Sequence, residues 1–181
     1  MMNKTKIIIF CALAVTINVV LGEAVSMMSI PLLFLDTVGT IFIAATYGMS
    51  YGIITGVTTN LLMGLISGPL SIPFALVNIA VAIVVALCAK NGFTYKKALL
   101  AGILLSFIAP MIGAPIRLAL FGGFTGSGTD VVIMALRASG KEMISSVYWG
   151  AVAGNFIDKI LSCLLIAWMI KLPQMRRIIA K

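Results

Sequence analysis

Long apolar runs, separated by short polar or glycine- and proline-rich segments, set the pattern of this chain. A helix needs about 20 apolar residues to cross a bilayer. Continuous runs indicate helices, whereas a membrane β-barrel would alternate apolar and polar positions. We therefore predict an all-α integral membrane protein, a single domain built as a six-transmembrane-helix bundle. The predicted spans lie near residues 7–22, 36–48, 51–66, 73–89, 98–120 and 144–170.

Three segments interrupt the spans on one side of the predicted bundle, near residues 24–35, 67–72 and 121–141. The first is apolar but contains Pro31, so we interpret it as a lid over a cavity or as a loop resting on lipid headgroups. The last is rich in glycine but lacks the Lys-Ser/Thr pair of a phosphate-binding loop. Asp36 precedes the second span, where we expect it to cap the helix.

Composition supports membrane insertion. Hydrophobic residues make up 61% of the chain, charged residues 10%, and the mean hydropathy is +1.17. Soluble domains carry about a quarter charged residues. The net charge of +8 does not indicate nucleic-acid binding, because the basic residues are scattered between and beyond the apolar runs.

The basic residues instead predict the orientation of the bundle. With six spans and both termini cytoplasmic, most of them fall on the inner side, where loops of membrane proteins collect Lys and Arg. The inner residues are Lys4, Lys6, Lys90, Lys96, Lys97, Lys171, Arg176, Arg177 and Lys181. Only Arg117, Arg137 and Lys141 fall outside, and Lys159 lies within the last span.

Cysteine and histidine usage limits the chemistry. Cys11, Cys88 and Cys163 lie singly in apolar runs, and the chain has no histidine. Neither a metal site nor a disulfide framework is expected, and no cofactor is predicted. The chain also lacks a nucleophile beside a base and paired carboxylates, so we do not expect an enzyme.

The last apolar run contains Asn155, Asp158 and Lys159. Polar and charged groups inside a span are costly unless they pair or face a wet cavity, which makes them candidates for a functional site. Tyr148 shares their helical face. At 1.5 Å per residue, Asp158 lies about 20 Å from the inner boundary, in the outer half of the membrane. The alternative is an Asp158–Lys159 pair that only fixes helix packing.

Two further polar residues are predicted at a similar depth. Asn78 lies near the outer end of the fourth span and Arg117 near the outer end of the fifth. Together with the last span, they predict an outward-opening pocket. Asn, Asp, Lys, Arg and Tyr suit a small polar organic ligand better than a bare metal ion.

The first span carries small residues four apart. Ala12 and Thr16 share one face, and Ala14 lies nearby. Small residues at this spacing let another helix approach closely, either within the bundle or in a partner protein.

The chain resembles the substrate-binding S components of energy-coupling factor (ECF) vitamin transporters. The resemblance rests on the length, the six predicted spans, and the stretches LDTVGTIFIAATYGMSYGIITGVTTNLLMG and PFALVNIAVAIVVALCAKNG. It also rests on NFIDKI in the last span and on KLP with the basic tail. It implies a bacterial cell-membrane protein that binds a vitamin or related micronutrient on the extracellular side. Its partners would be a transmembrane coupling protein and two cytoplasmic ATPases.

The family often packs an Ala-x-x-x-Ala motif of its first helix on the coupling protein. Here Ala12 is followed by Thr16, and Ala14 by Asn18, so the motif is approximated. The chain has no Walker A motif. The resemblance implies that the two partner ATPases hydrolyse ATP for the complex.

Two other interpretations remain at this stage. A stand-alone secondary transporter would couple uptake to protons through Asp158, and a membrane enzyme would use Asp158 with Lys159 or Arg117. The substrate is less defined. With Trp149 and Trp168 as the only tryptophans, a pyrimidine-like or nucleoside-like ligand is favoured over a large flavin or pterin.

Overall fold

The computed structural model describes residues 4–180, which fold as a helical bundle. A 3-10 helix, Pro69–Phe74, leads directly into the fourth helix. The α-helices are α1 (Lys4–Met27), α2 (Val38–Tyr47), α3 (Met49–Ile66), α4 (Ala75–Cys88), α5 (Tyr95–Phe121), α6 (Asp130–Ala138), α7 (Met143–Lys171) and α8 (Pro173–Ala180).

Five helical segments are long and apolar enough to cross a membrane: α1, α3, the 3-10 helix with α4, α5 and α7. Large apolar side chains such as Ile8, Leu65, Met111 and Trp168 are exposed on their outer faces. A soluble protein rarely presents that much contiguous apolar surface, whereas lipid covers it in a membrane. The fold is therefore that of a multi-pass helical membrane protein.

The predicted second span is shorter than expected. α2 has 10 residues, which rise about 15 Å, half of a hydrocarbon core about 30 Å thick. Its first turn lies beside Lys159 of α7, since Thr37 accepts a hydrogen bond from the Lys159 ammonium. Residues 28–37, named here the α1–α2 loop, therefore return from the end of α1 to the middle of the bundle before α2 begins.

The expected helix cap at Asp36 is wrong. The residue preceding α2 is Thr37, and no side chain caps this helix. Asp36 lies one residue earlier, and its carboxylate instead accepts a hydrogen bond of 3.4 Å from Lys159. Asp36 therefore pairs with a cation inside the bundle instead of accepting hydrogen bonds from the free amides of the first turn of α2.

The two ends of the bundle differ in charge. Lys6 donates to the carbonyl of Ile178, which joins the start of α1 to α8, and the Lys171 ammonium lies 3.6 Å from the centre of the Tyr95 ring. We call this end the terminal end. Of the basic residues predicted to face inward, all except Lys181, which lies outside the described residues, belong to segments at this end. Which side of a membrane it faces stays a prediction.

Glycines set two of the closest helix contacts. A Cβ at Gly39 would lie 2.2 Å from the Ala14 carbonyl oxygen, and one at Gly102 would lie 2.7 Å from the Ile160 Cα. These positions bring α2 against α1 and α5 against α7. The α5–α7 contact is the most extensive in the bundle. It fixes the helix that carries the polar patch.

Candidate functional site

A cavity of about 540 Å³ opens at the end of the bundle opposite the terminal end. Its walls come from α1, α3, α4, α5 and α7, and the α1–α2 loop and the Gly-rich loop after α5 close its sides. Apolar residues make up much of the lining, including Phe34, Phe74 and Phe121. The polar lining residues are Glu23, Ser26, Asp36, Thr59, Asn60, Ser67, Ser71, Asn78, Arg117, Thr125, Ser127, Asn155 and Lys159.

Asp158 holds the α1–α2 loop against α7. Its Oδ1 accepts hydrogen bonds from the backbone N–H groups of Phe34, at 3.0 Å, and Leu35, at 2.8 Å. Its Oδ2 accepts from the Lys159 ammonium at 2.6 Å. The Asp158 side chain is fully buried and does not line the cavity. Irregular backbone at this depth needs such partners, because lipid offers none.

The Lys159 ammonium has three acceptors: Asp158 at 2.6 Å, Thr37 at 2.8 Å and Asp36 at 3.4 Å. An ammonium has three protons to donate, so these contacts use all of them. Lys159 lines the cavity through its buried side chain. The ammonium therefore holds the surrounding carboxylates in place and has no proton left to donate to a ligand.

The α1–α2 loop adopts an unusual backbone. Ser29, Leu32 and Leu35 have φ values of 49°, 62° and 54°, a left-handed conformation that costs a non-glycine residue roughly 1 kcal/mol or more. Two glycines let the loop pack closely. A Cβ at Gly128 would lie 2.6 Å from the Pro31 Cα, and one at Gly154 would lie 3.1 Å from the Phe34 ring. The loop is thus held from both sides.

Arg117 organises the Gly-rich segment 122–129, which we call the α5–α6 loop. Its Nε donates to the Gly123 carbonyl at 2.8 Å, and its Nη2 donates to Ser127 at 3.3 Å and to the Asp130 carboxylate. Asp130 also accepts from the backbone N–H of Gly126 at 2.7 Å. A single buried guanidinium therefore ties the end of α5 to the start of α6.

A network of amides and hydroxyls joins the first four helices at the wall of the cavity. Asn18 donates to Thr40 and to Thr59, both at 3.0 Å, and Thr40 donates to Asn78 at 2.9 Å. Asn78 in turn donates to Asn60 at 2.7 Å. Both ends of the Asn78 amide are therefore engaged within the protein.

Asn155 is the polar residue of α7 that faces the cavity with an acceptor to spare. The residue is 9% exposed, and its side-chain amide nitrogen donates to the Ala151 carbonyl of its own helix at 2.9 Å. Among residues 4–180, no donor reaches its Oδ1. A ligand in the cavity could donate to this oxygen.

The cavity brings together four of the six residues predicted as substrate-binding: Asn78, Arg117, Asn155 and Lys159. Asp158 and Tyr148 lie away from it. Asp158 is turned toward the α1–α2 loop. The Tyr148 ring lies edge-on to the Trp149 ring, with 5.3 Å between their centres, and packs beside a small cluster of buried apolar residues.

The small residues of α1 separate into two groups. Ala12 and Thr16 are exposed on the outer face of the helix, where the Thr16 hydroxyl donates to the Ala12 carbonyl at 3.1 Å. Ala14 is buried, and its backbone meets Gly39 of α2. Ala12 and Thr16 are therefore placed where a partner could reach them, and Ala14 serves packing within the chain.

Sequence reasoning missed several lining residues. Neither Glu23 nor Asn60 was among the predicted site residues, yet both line the cavity. Asn18, which donates to both Thr40 and Thr59, was named only as a departure from the Ala-x-x-x-Ala motif. The available signal was the one used for α7, a polar side chain within or beside an apolar run.

No known protein family, characterised protein or solved structure matches this chain.

Proposed function

We propose that this chain is a high-affinity substrate-binding subunit, an S component, of an ECF-type importer in the bacterial cell membrane. It would bind a vitamin or a related small micronutrient from the extracellular side. The observation that carries the proposal is the cavity of about 540 Å³ at the end of the bundle opposite the terminal end. A cavity of this size is typical of sites for small organic molecules.

Charge supports the orientation. The terminal end contains Lys90, Lys96, Lys97, Arg176 and Arg177 among others, and loops rich in Lys and Arg stay in the cytoplasm. With that end inside, the cavity opens toward the exterior. A binding subunit that captures its ligand from outside needs this arrangement.

Delivery of the ligand would depend on partners. The outer face of α1 exposes Ile9, Ala12, Leu13 and Thr16, a surface on which a second membrane protein can pack closely at the small residues. We propose it as the contact for a transmembrane coupling protein that works with two cytoplasmic ATPases. The sequence itself contains no Walker A motif.

The geometry around Asp158 counts against proton-coupled secondary transport. A carboxylate that carries protons during transport must exchange them with solvent or a relay of side chains. Both oxygens of Asp158 are engaged, by two backbone N–H groups and the Lys159 ammonium, and the side chain is fully buried. Its position favours a structural role.

The experiment is purification of the tagged full-length chain from bacterial membranes in mild detergent. We expect a small organic molecule to remain bound and a coupling protein with two ATPases to copurify. Mass spectrometry identifies both. Absence of both the molecule and the partners would contradict the proposal.

Transport provides the second readout. In vesicles that contain the assembled complex, uptake of the identified molecule should require ATP inside and should persist when the proton gradient is collapsed by an ionophore. A variant of the outer α1 face, Thr16→Leu, should reduce copurification of the coupling protein but not ligand retention. Ala119→Leu, on the exposed surface of α5, is the matched control.

A further inference from the structure

The charges around the cavity are unequal. The chain has five carboxylates in all. Two of them, Glu23 and Asp36, line the cavity, while Asp130 and Asp158 hold its two cationic residues, Arg117 and Lys159. Four carboxylates therefore lie near two cations. They are at the end of the bundle opposite the terminal end, which has fewer basic residues than the terminal end.

The pairing leaves the negative charge exposed to the cavity. Asp130 is bound to Arg117, and Asp158 is bound to Lys159. Asp36 shares Lys159 at 3.4 Å, and its side chain is 44% exposed. Glu23 accepts a hydrogen bond from the neutral Ser67 hydroxyl, and no cation pairs with it within residues 4–180. The two carboxylates that a ligand would meet are thus only weakly compensated.

Glu23 and Asp36 belong to the same wall of the cavity. Gly22 lies beside the loop, and a Cβ there would meet the Asp36 Cβ at 3.2 Å. Its neighbour in α1 is Glu23. Clefts that are lined by one sign of charge and have walls of low dielectric constant concentrate ligands of opposite charge. This wall favours a ligand with a positive charge.

Two further features match such a ligand. Asn155, a residue that is nine-tenths buried, lines the cavity, and its Oδ1 has no donor among the described residues. The rings of Phe74 and Phe121, with centres 6.3 Å apart, and the ring of Phe34 also line it. Aromatic faces accept cations as well as flat apolar groups. Arg117 adds no net positive charge, because Asp130 compensates it.

We infer that the ligand is an organic cation with a basic nitrogen, such as a protonated amine or an N-heterocyclic cation, recognised by Glu23 and Asp36. This inference rests on the proposed function, since it assigns a chemical class to the ligand of that cavity. It disfavours carboxylate- or phosphate-bearing ligands. A bare metal ion is not supported, because no three His, Cys, Asp or Glu side chains of residues 4–180 come together to hold one.

The test measures the charge of what the protein retains. The full-length chain is purified in mild detergent, the bound molecule is released by denaturation, and capillary electrophoresis at pH 7 precedes mass spectrometry. A molecule that migrates as a cation supports the inference. A neutral or anionic molecule overturns the inference and leaves the proposed function standing.

If the protein is purified without a bound molecule, two matched probe molecules test the inference instead. Phenethylammonium and 3-phenylpropionate have similar sizes and opposite charges, and their effect on the thermal unfolding temperature is compared. Stabilisation by the ammonium alone supports the inference, and equal or greater stabilisation by the carboxylate overturns it. If no molecule is retained and neither probe stabilises the protein, this inference fails, and the proposed function fails with it only when the coupling protein and the ATPases also do not copurify.

Variants assign the charge to the two residues. Glu23→Gln keeps the acceptor for Ser67 and Asp36→Asn keeps an oxygen near Lys159. We expect each to lower retention of the cation, or the affinity for phenethylammonium, by about tenfold or more. Glu142→Gln is the matched control, since Glu142 is exposed outside the cavity. Equal binding by both lining variants and the control would overturn the assignment.

Discussion

Asp158 and Leu35 are joined by a hydrogen bond of 2.8 Å between the carboxylate Oδ1 and the backbone N–H, although 123 residues separate them in the sequence. Together with the neighbouring bond to Phe34, it attaches the α1–α2 loop to α7. The Asp158–Lys159 pair is therefore not only a self-neutralising pair on one helix. It positions the loop that forms one wall of the cavity.

We predict that Asp158→Asn destabilises the protein by about 3 kcal/mol, because it leaves the Lys159 ammonium buried with a weaker set of partners. Thermal or denaturant unfolding in detergent measures the loss. The double variant Asp158→Asn with Lys159→Met should lose less stability than the two single variants together, since it removes both charges. Losses that simply add would contradict a coupled pair.

Asn155→Ala should remove ligand binding without destabilising the fold. The Asn155 side chain donates only to its own helix, its oxygen has no donor within residues 4–180, and the residue lines the cavity. Ligand retention after purification and the unfolding temperature are the two measurements. Lys159→Ala should abolish binding indirectly, with a large loss of stability, because it leaves Asp158 buried and unpaired where Asp158 holds the α1–α2 loop at the cavity.

Asn91→Ala is the control for that experiment, since Asn91 is exposed at the terminal end. It should change neither quantity. If Asn155→Ala retains its ligand at wild-type affinity, Asn155 does not contact the ligand.

Arg117→Lys should loosen the α5–α6 loop. A lysine cannot reproduce the forked contacts of the guanidinium with Gly123, Ser127 and Asp130. We expect hydrogen exchange of the backbone amides in 122–129 to accelerate by about tenfold, equivalent to about 1.4 kcal/mol. Arg137→Lys, at an exposed residue of α6, should leave this exchange unchanged. Equal exchange in both variants would show that other contacts order the loop.

Gly39→Ala should destabilise the bundle by about 1–3 kcal/mol, the range for overpacking a well-packed contact. The added Cβ would lie 2.2 Å from the Ala14 carbonyl oxygen, where backbone must move. Gly113→Ala is the matched control, because its Cβ would meet nothing nearer than the Val77 side chain, at 3.5 Å. The unfolding temperatures of the two variants are compared, and an equal change would contradict a close α1–α2 contact.

Much of the fold followed from hydrophobic pattern alone. The long helices α1, α3, α5 and α7 coincide with continuous apolar runs of the sequence, because such runs and the Pro and Gly residues between them are local signals. The length of α2 was not predictable from its composition. Its residues are as apolar as those of a full span, and the loop before it is apolar as well.

The polar residues of α7 were visible in the sequence, but their connections were not. The cost of polar groups in an apolar run identified Asn155, Asp158 and Lys159. The partners of Asp158 are backbone amides of the α1–α2 loop, which no side-chain pattern reveals. The unbalanced carboxylate Glu23 was missed for a similar reason, since its position relative to Asp36 depends on how the loop returns beside Gly22.

The short length of α2 leaves room for the cavity. A full-length α2 would continue upward through the space beside α1, where the loop and the cavity now lie. Because α2 begins only at half height, the buried carboxylate of Asp158 accepts hydrogen bonds from the backbone N–H groups of Phe34 and Leu35, which are not part of a helix. The cavity thus lies where the first half of a full-length α2 would stand, and a single acidic side chain satisfies the backbone that the missing helix leaves unpaired.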